Sequence, residues 1–240
     1  FQLRRDIQMI FQDPYSSLNP RMTIGEIVRE PLLVHRVGTR PEQVEKVREL
    51  LEVVGLPGDT LERYPHEFSG GQRQRVGLAR ALTLEPKLVI ADEPVSALDV
   101  SVQSQVLNLM VRLQRERNLT YVFISHDLSV VEYISDTIAI MYLGRIVEVG
   151  TVETIFERAA HPYTRALIEA IPVPDPRQSH EVKLLEGEAP SALSPPPGCP
   201  FHPRCPFAIA ACSEAVPALE AVEASGGDRG QEHLAACIRK

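Results

Sequence analysis

The first 198 residues of this chain contain no cysteine; the four thiols fall at Cys199, Cys205, Cys212 and Cys237. That distribution excludes a disulfide-stapled fold and points to a local device near the carboxyl end. No apolar stretch approaches the ~18–20 residues that a spanning helix needs, so any membrane connection is expected to run through another subunit. Lysine and arginine form no stripe and the net charge is −7, which argues against a nucleic-acid partner. The opening run Phe1-Gln2-Leu3-Arg4-Arg5-Asp6 has neither an initiating Met nor a signal-peptide pattern. No internal repeat stands out. The absence with the widest consequence is chemical: no G-x-x-x-x-G-K-S/T phosphate loop occurs in the 240 residues.

What is present is ordinary in bulk, with 44% hydrophobic and 24% charged residues in a length that suits one large domain or a domain plus an appendage. Ile7 to Phe11 reads as a strand leading into the loop Gln12-Asp13-Pro14. Thr23 to Val34 reads as a helix with Thr23 as N-cap and Glu26 three residues on. Pro41 to Val54 is a stronger helix, with Val44, Val47, Leu51 and Val54 on one face and Gly55 as its stop. Further helices are expected over 71–84, 100–117 and 128–134. Leu88–Ala91 and Tyr121–Ile124 read as strands buried on both faces. Thr137–Tyr142 and Arg145–Val149 read as two strands turning at Gly144. Strands alternating with helices predict an α/β fold with a mainly parallel sheet. Beyond about Ala160 the texture changes: Pro172, Pro174, Pro176 and Pro195-Pro196-Pro197 mark linker-like chain.

In open α/β sheets ligands gather at the carboxyl ends of the strands, and Gln12, Asp92, Glu93 and His126 all fall just there. Taken singly, Asp92-Glu93-Pro94 and Ser125-His126-Asp127 are as well explained by helix caps. Four such groups on one sheet edge, in register with Ser69-Gly70-Gly71-Gln72, are not. Phosphoryl transfer needs ligands for Mg²⁺, a group that orients the attacking water, and N–H or positive character around the γ-phosphate. Asp92 and Gln12 suit the cation, Glu93 the water and His126 the phosphate, and Gln12 can also reach the water. Ser69-Gly70-Gly71-Gln72 opens a helix, where glycines let a ligand approach the backbone and unpaired N–H groups favour a phosphate. Arg73, Arg75 and Arg80 read as solvated or interface charges.

The string Phe68-Ser69-Gly70-Gly71-Gln72-Arg73-Gln74-Arg75, then Leu88 to Pro94, Ser96-Ala97-Leu98-Asp99 and Ser125-His126-Asp127, closely resembles the nucleotide-binding subunit of an ABC transporter. The resemblance implies a P-loop NTPase-like ABC ATPase fold, incomplete at its amino end, over 1–160, with a helical subdomain at about 20–84 and a Cys-containing extension over 161–240. It implies ATP and Mg²⁺ as cofactors and Asp92 as the Walker-B carboxylate. It also implies a head-to-tail pair of ATPase domains, in which Ser69, Gly70, Gly71 and Gln72 contact the nucleotide of the opposite subunit and Asp99 crosses the interface. Gln12 to Arg21, His161-Pro162-Tyr163-Thr164-Arg165-Ala166-Leu167 and Cys199-Pro200-Phe201-His202-Pro203-Arg204-Cys205-Pro206 look like the dipeptide/oligopeptide importers, a branch that includes nickel importers. The expected activity is that of an ATPase at the cytoplasmic face of the cell membrane. Its expected partners are a second ATPase subunit, two transmembrane permease subunits and, indirectly, an extracytoplasmic peptide-binding protein. A non-catalytic partner subunit or an importer for nickel or another solute is the alternative. A soluble ABC ATPase of DNA repair or translation fits less well, since neither a coiled-coil insertion nor tandem halves are present. Without the phosphate loop, the 240 residues alone are expected to be inactive, with unpaired edges at both Leu88–Ala91 and Tyr121–Ile124.

The cysteine spacing is C-x5-C-x6-C-x24-C. Four thiolates suit zinc or an iron–sulfur cluster, and the close C-x2-C pairs usual for zinc are missing. Members of the resembling branch with such a tail bind a 4Fe–4S cluster, which makes that the expected occupant and Zn²⁺ the alternative, with His202 able to replace one thiolate. Read on their own, the four are unrelated thiols in a loose tail.

Overall fold

The computed structural model describes residues 2–13, 15–171, 187–188, 190–222 and 233–239. The chain divides into two compact units, Phe1–Asp127 and Leu128–Lys240.

In the first unit a short helix α1 (Leu3–Asp6) leads into β1 (Ile7–Ile10). Helices α2 (Ile24–Val34), α3 (Arg40–Val53) and α4 (Gly70–Leu82) follow, then β2 (Leu88–Asp92), α5 (Val100–Arg117) and β3 (Thr120–Ile124). The expected capping box at α2 is formed: Glu26 N–H donates to Thr23 Oγ1 (3.3 Å), and Thr23 N–H donates to Glu26 Oε2 (2.9 Å). At α3, Thr39 N–H donates to the Glu42 carboxylate (2.7 Å). Of the expected face of α3, Val47, Leu51 and Val54 are buried and Val44 is half-buried, with Gln43 and Leu50 joining the buried side, and Gly55 (φ +75°) ends the helix in the left-handed region. Asp99 accepts from Val102 N–H (3.0 Å) and caps α5.

The three strands form a parallel sheet in the order β1-β2-β3. Two expectations change here. β2 is the central strand, paired on both sides, so Leu88–Ala91 has no free edge; among the described residues β1 and β3 are the two edge strands of this sheet. Nor is β3 buried on both faces: Val122 is 47% and Ile124 45% exposed, whereas Val89 and Ala91 on β2 are fully buried. Val122 and Ile124 share a face with Ile90 and Asp92, which are half-buried, and Val89 and Ala91 lie on the other; the face, not the apolar run, decides which side chains are covered.

The second unit holds α6 (Leu128–Ile134), β4 (Thr137–Tyr142), β5 (Arg145–Thr151), α7 (Val152–Arg158), α8 (Pro162–Glu169), α9 (Ala210–Glu214), β6 (Glu220–Ala221) and β7 (Leu234–Ala235). Its sheet is antiparallel, in the order β4-β5-β7-β6, and turns between β4 and β5 at Leu143 and Gly144, both with positive φ. The core gathers Ile138, Ile140, Tyr142, Val147 and Ile155 around Phe201, and the first cysteine, Cys199, is part of it. The Tyr142 and Tyr163 rings pack at 4.6 Å and each meets Phe201 at 5.4 Å. Pro172, Pro174 and Pro176 lie outside the described residues.

Candidate functional site

β1, β2 and β3 run parallel, so their carboxyl ends release the chain along one edge. Gln12 leaves β1 there, Asp92 is the last residue of β2 and pairs with Ile124, and His126 follows β3. Glu93 lies at the centre of the group. Gln12 Nε2 donates to Glu93 Oε2 at 2.7 Å, and His126 Nδ1 lies 3.1 Å from Glu93 Oε1. The Glu93 backbone is left-handed (φ +43°), a conformation that costs a non-glycine residue ~1–3 kcal/mol. It is held by Glu93 N–H donating to Ile124 C=O (3.0 Å) and by Ser96 Oγ donating to Glu93 C=O (3.0 Å). The His126 hydrogen bond is the largest influence on the Glu93 carboxyl, and with smaller help from Gln12 it holds its pKa below the usual carboxylate range. Glu93 is therefore ionised at neutral pH and poorly suited to keep a proton. It can align and polarise a water better than it can fully deprotonate one.

The donor set fits a divalent cation beside this carboxylate. Asp92 and Glu93 are adjacent acids, and the amide of Gln12, committed through its nitrogen to Glu93, keeps its oxygen as the atom a hard cation prefers.

A second cluster forms where α4 meets α5. Ser69 caps α4, accepting from Gln72 N–H (3.4 Å) while Gln72 Oε1 accepts from Ser69 N–H (2.9 Å). A methyl group on Gly70 would lie 3.4 Å from Leu98, and one on Gly71 only 2.2 Å from Val102 Cγ1. Leu98 and Val102 flank Asp99, so the glycine segment and the Asp99 loop are neighbours within this unit. The structure thus brings Gln12, Glu93 and His126 together and, as a separate group, Ser69 to Gln72 with Asp99. It also gives Gly71 a reason the sequence did not disclose: α5 leaves no room for a side chain. Gly71→Ala should cost ~1–3 kcal/mol, because Val102 is β-branched and cannot swing aside freely. Denaturant midpoints check this; Val102→Ala in the same chain should recover most of the loss, and an unshifted Gly71→Ala midpoint would refute the packing argument.

The arginines of α4 need correction. Arg73 is 6% exposed, not solvated. Its guanidinium donates to Pro65 C=O (2.8 Å) and Phe68 C=O (2.5 Å), and the Tyr15 ring covers it at 3.6 Å. Arg80 donates to Ser17 C=O (2.7 Å). Seven residues apart, these two tie the loop that follows Gln12 onto the helix that Ser69 opens. The run Gln72-Arg73-Gln74-Arg75 and the later Arg80 carry no signal for this, since Tyr15 and Ser17 are more than fifty residues away in sequence and the other partners are backbone carbonyls.

In the second unit, Cys199, Cys205, Cys212 and Cys237 all line one cavity of ≈ 210 Å³, together with Arg165, His202 and Arg239. All four are free thiols. Gly198 (φ +69°) makes this possible, since a methyl group there would meet Cys212 C=O at 2.3 Å. Cys199 N–H donates to that same carbonyl (2.8 Å). Burial pushes the Cys199 and Cys205 thiols up, and the neighbouring sulfurs add to it. Among the described residues no group of three or more His, Cys, Asp or Glu side chains is arranged to hold a single metal ion. His202 turns its Nδ1 to Cys199 C=O (2.9 Å). No helix among the described residues is long and apolar enough to cross a membrane.

Residues 1–96 match the family model for ABC transporters, and residues 147–212 match that for the oligopeptide/dipeptide transporter, C-terminal region. A putative peptide import ATP-binding protein of Brucella ovis is 56% identical over 236 residues, which cover 98% of this chain and 72% of that protein. The oligopeptide transport ATP-binding protein OppF of Escherichia coli is 57% identical over 91% of this chain and 66% of its own length. A putative oligopeptide transport ATP-binding protein of Bacillus subtilis, YkfD, is 54% identical over 93% of this chain and 69% of its own length. Among solved structures, CbiO1 of Clostridium perfringens, part of the ABC transporter complex CbiONQ, superposes with a TM-score of 0.59 at 30% identity, covering 66% of this chain and 62% of that one.

Proposed function

Since this chain belongs to the ATP-binding proteins of ABC transporters, in their peptide-import branch, we propose that it supplies the ATPase activity that drives uptake of dipeptides or oligopeptides. It would act as a peripheral subunit on the cytoplasmic face, paired with a second ATPase subunit and seated on two transmembrane permease subunits. Residues 1–160 form the ATPase domain in this reading, with its helical part at about 20–84, and 161–240 form the extension.

One observation carries the proposal: a single ionised carboxylate, Glu93, is gripped by an amide and an imidazole at the carboxyl edge of a parallel sheet. Mg²⁺ bound to a nucleoside triphosphate supplies charge neutralisation at the β- and γ-phosphates. Asp92 and the Gln12 oxygen would hold that cation. Glu93 orients the water, and its two partners fix the direction of its oxygens. With Nδ1 turned to Glu93, His126 offers Nε2 as the ring atom that can donate to a phosphate. Ser69, Gly70, Gly71 and Gln72 would meet the nucleotide of the partner subunit at a helix start, with the N–H groups of Gly70 and Gly71 facing it because the capping box already uses those of Ser69 and Gln72, and Asp99 would stand beside them at the same interface. The test is uptake of a labelled di- or oligopeptide by cells carrying the assembled transporter. Uptake should disappear with Glu93→Gln; undiminished uptake by that variant would refute the assignment.

The four thiols are proposed to hold one metal centre. Zn–S bonds are ~2.3 Å, so a single ion draws its sulfurs into close contact. Thiols spread around a chamber suit a 4Fe–4S cluster better, and Arg165 and Arg239 on the chamber wall would offset its negative charge. The metal would also offset the cost of ionising the buried Cys199 and Cys205. Anaerobically purified protein should be brown and contain iron and sulfide, both lost on any single Cys→Ser change. Zinc in equal amount would change the metal and keep the site; metal-free protein would end the idea.

A further inference from the structure

The cavity lined by the four cysteines is built from three stretches of chain far apart in sequence, and one buried carboxylate joins two of them, 160–165 and 233–239. Glu148, on β5, has no exposed surface. Its Oε1 accepts from Ala160 N–H (2.6 Å) and its Oε2 from His161 N–H (3.0 Å), which fixes the turn into α8, a wall of the chamber. The same Oε1 accepts from His233 Nε2, 2.7 Å away and 85 residues later in the chain. His233 immediately precedes β7, and β7 leads through Ala236 to Cys237.

β7 has little else to hold it. It is two residues long, pairs with only Glu148 and Val149 of β5 and the short β6, and offers Leu234, Ala235 and Ala236 as its apolar anchors. Two alanines bury little surface. Ala236 N–H adds a bond to Val147 C=O (2.8 Å). By contrast, a hydrogen bond to an ionised carboxylate shielded from water is strong, and a carboxylate left one donor short in that setting is costly. Downstream of Cys237 the chain is tied again, by Arg239 Nη1 donating to Phe207 C=O (3.2 Å). Cys237 thus lies between polar ties on both sides: upstream, Val222 N–H donating to His233 C=O (2.8 Å), the Ala236 bond and the buried Glu148–His233 pair, which is the one side-chain tie among them; downstream, Arg239.

We propose that the Glu148–His233 pair is the latch that closes the thiol chamber, making His233 the positioning residue for Cys237. The ring needs only Nε2–H for this, so the latch holds whether His233 is neutral or charged. Three of the thiols come from one stretch, 199–212, and the fourth arrives only if β7 docks. The latch therefore decides whether the chamber has three sulfurs or four. Its consequence for metal retention rests on the metal-centre reading above; its consequence for Cys237 does not.

The experiment uses the full chain, anaerobically purified, with metal content measured and then stripped by chelator, followed by timed alkylation and mass spectrometry of each cysteine. In the stripped protein, His233→Ala should speed alkylation of Cys237 at least tenfold while Cys199, in the core, changes little. As-purified His233→Ala should carry less than half the iron or zinc of wild type. His233→Gln, whose longer amide can still donate to Glu148, should recover most of the protection. His233→Asn, too short to reach, should behave as alanine and replaces it if alanine gives insoluble protein. Equal Cys237 protection in wild type and His233→Ala overturns the latch. So does uniform exposure of all four thiols in the alanine and glutamine variants, or an unprotected Cys237 in stripped wild type. Selective exposure of Cys237 in a protein that never held metal would keep the latch and sink the metal centre.

Discussion

In a chain that also carries the phosphate-binding loop, Glu93→Gln should lower ATP hydrolysis by ~10²–10⁴-fold while leaving nucleotide binding intact, the range expected when an aligned base is lost. The substitution is nearly isosteric, and the geometry explains why it should not disturb its surroundings. Gln12 donates to one oxygen of Glu93, and His126 Nδ1 faces the other. In the variant the amide oxygen can still accept from Gln12, and the amide nitrogen can donate to His126 Nδ1 once the neutral ring moves its proton to Nε2. What disappears is the negative charge that polarises water. Hydrolysis assayed in the assembled complex, with nucleotide binding measured in parallel, separates the two effects. Loss of binding together with hydrolysis would make Glu93 a structural residue; near wild-type hydrolysis would remove it from the reaction.

The sequence was legible where structure is local and dumb where it is not. Thr23 with Glu26, and Gly55 after Val54, mark helix ends through bonds that span three or four residues, and the helices over 100–117 and 128–134 appear with those same limits. Gln12, Glu93 and His126 could be read as one group because strand ends in a parallel sheet converge by topology. Exposure of β3 could not be read, because Val122 and Ile124 are apolar whatever stands beside them. Arg73 reads as a surface charge in any window of sequence; its burial depends on Tyr15 and on the carbonyls of Pro65 and Phe68. β6 and β7 are two residues each and carry no periodicity. The role of Glu148, a charged residue within β5, rests on the N–H groups of Ala160 and His161 and on a histidine 85 positions away.

Acidification should destabilise the carboxyl-terminal unit through His161. This residue is 1% exposed, lies against the Phe201 ring at 5.8 Å, and uses Nδ1 to accept from Tyr163 N–H (3.1 Å) at the start of α8. Burial lowers its pKa to about 4, and the Glu148 carboxylate offsets only part of that. Between about 4 and the free ring's 6.5 the unfolded chain binds the extra proton and the folded one does not, so stability rises with pH across that window. The contribution is complete above about pH 6.5 and is lost as the pH falls toward 4. At ~1.4 kcal/mol per pH unit it amounts to ~3 kcal/mol over the whole window. Asparagine is the informative replacement, because its side-chain oxygen can take the same capping bond and cannot titrate. Urea midpoints from pH 7.5 to 4.5 should fall steeply for wild type and less steeply for His161→Asn, the two curves converging at the acidic end. Parallel curves would mean that the acid sensitivity of this unit lies in its carboxylates, with His161 a packing residue whose cap matters and whose charge does not.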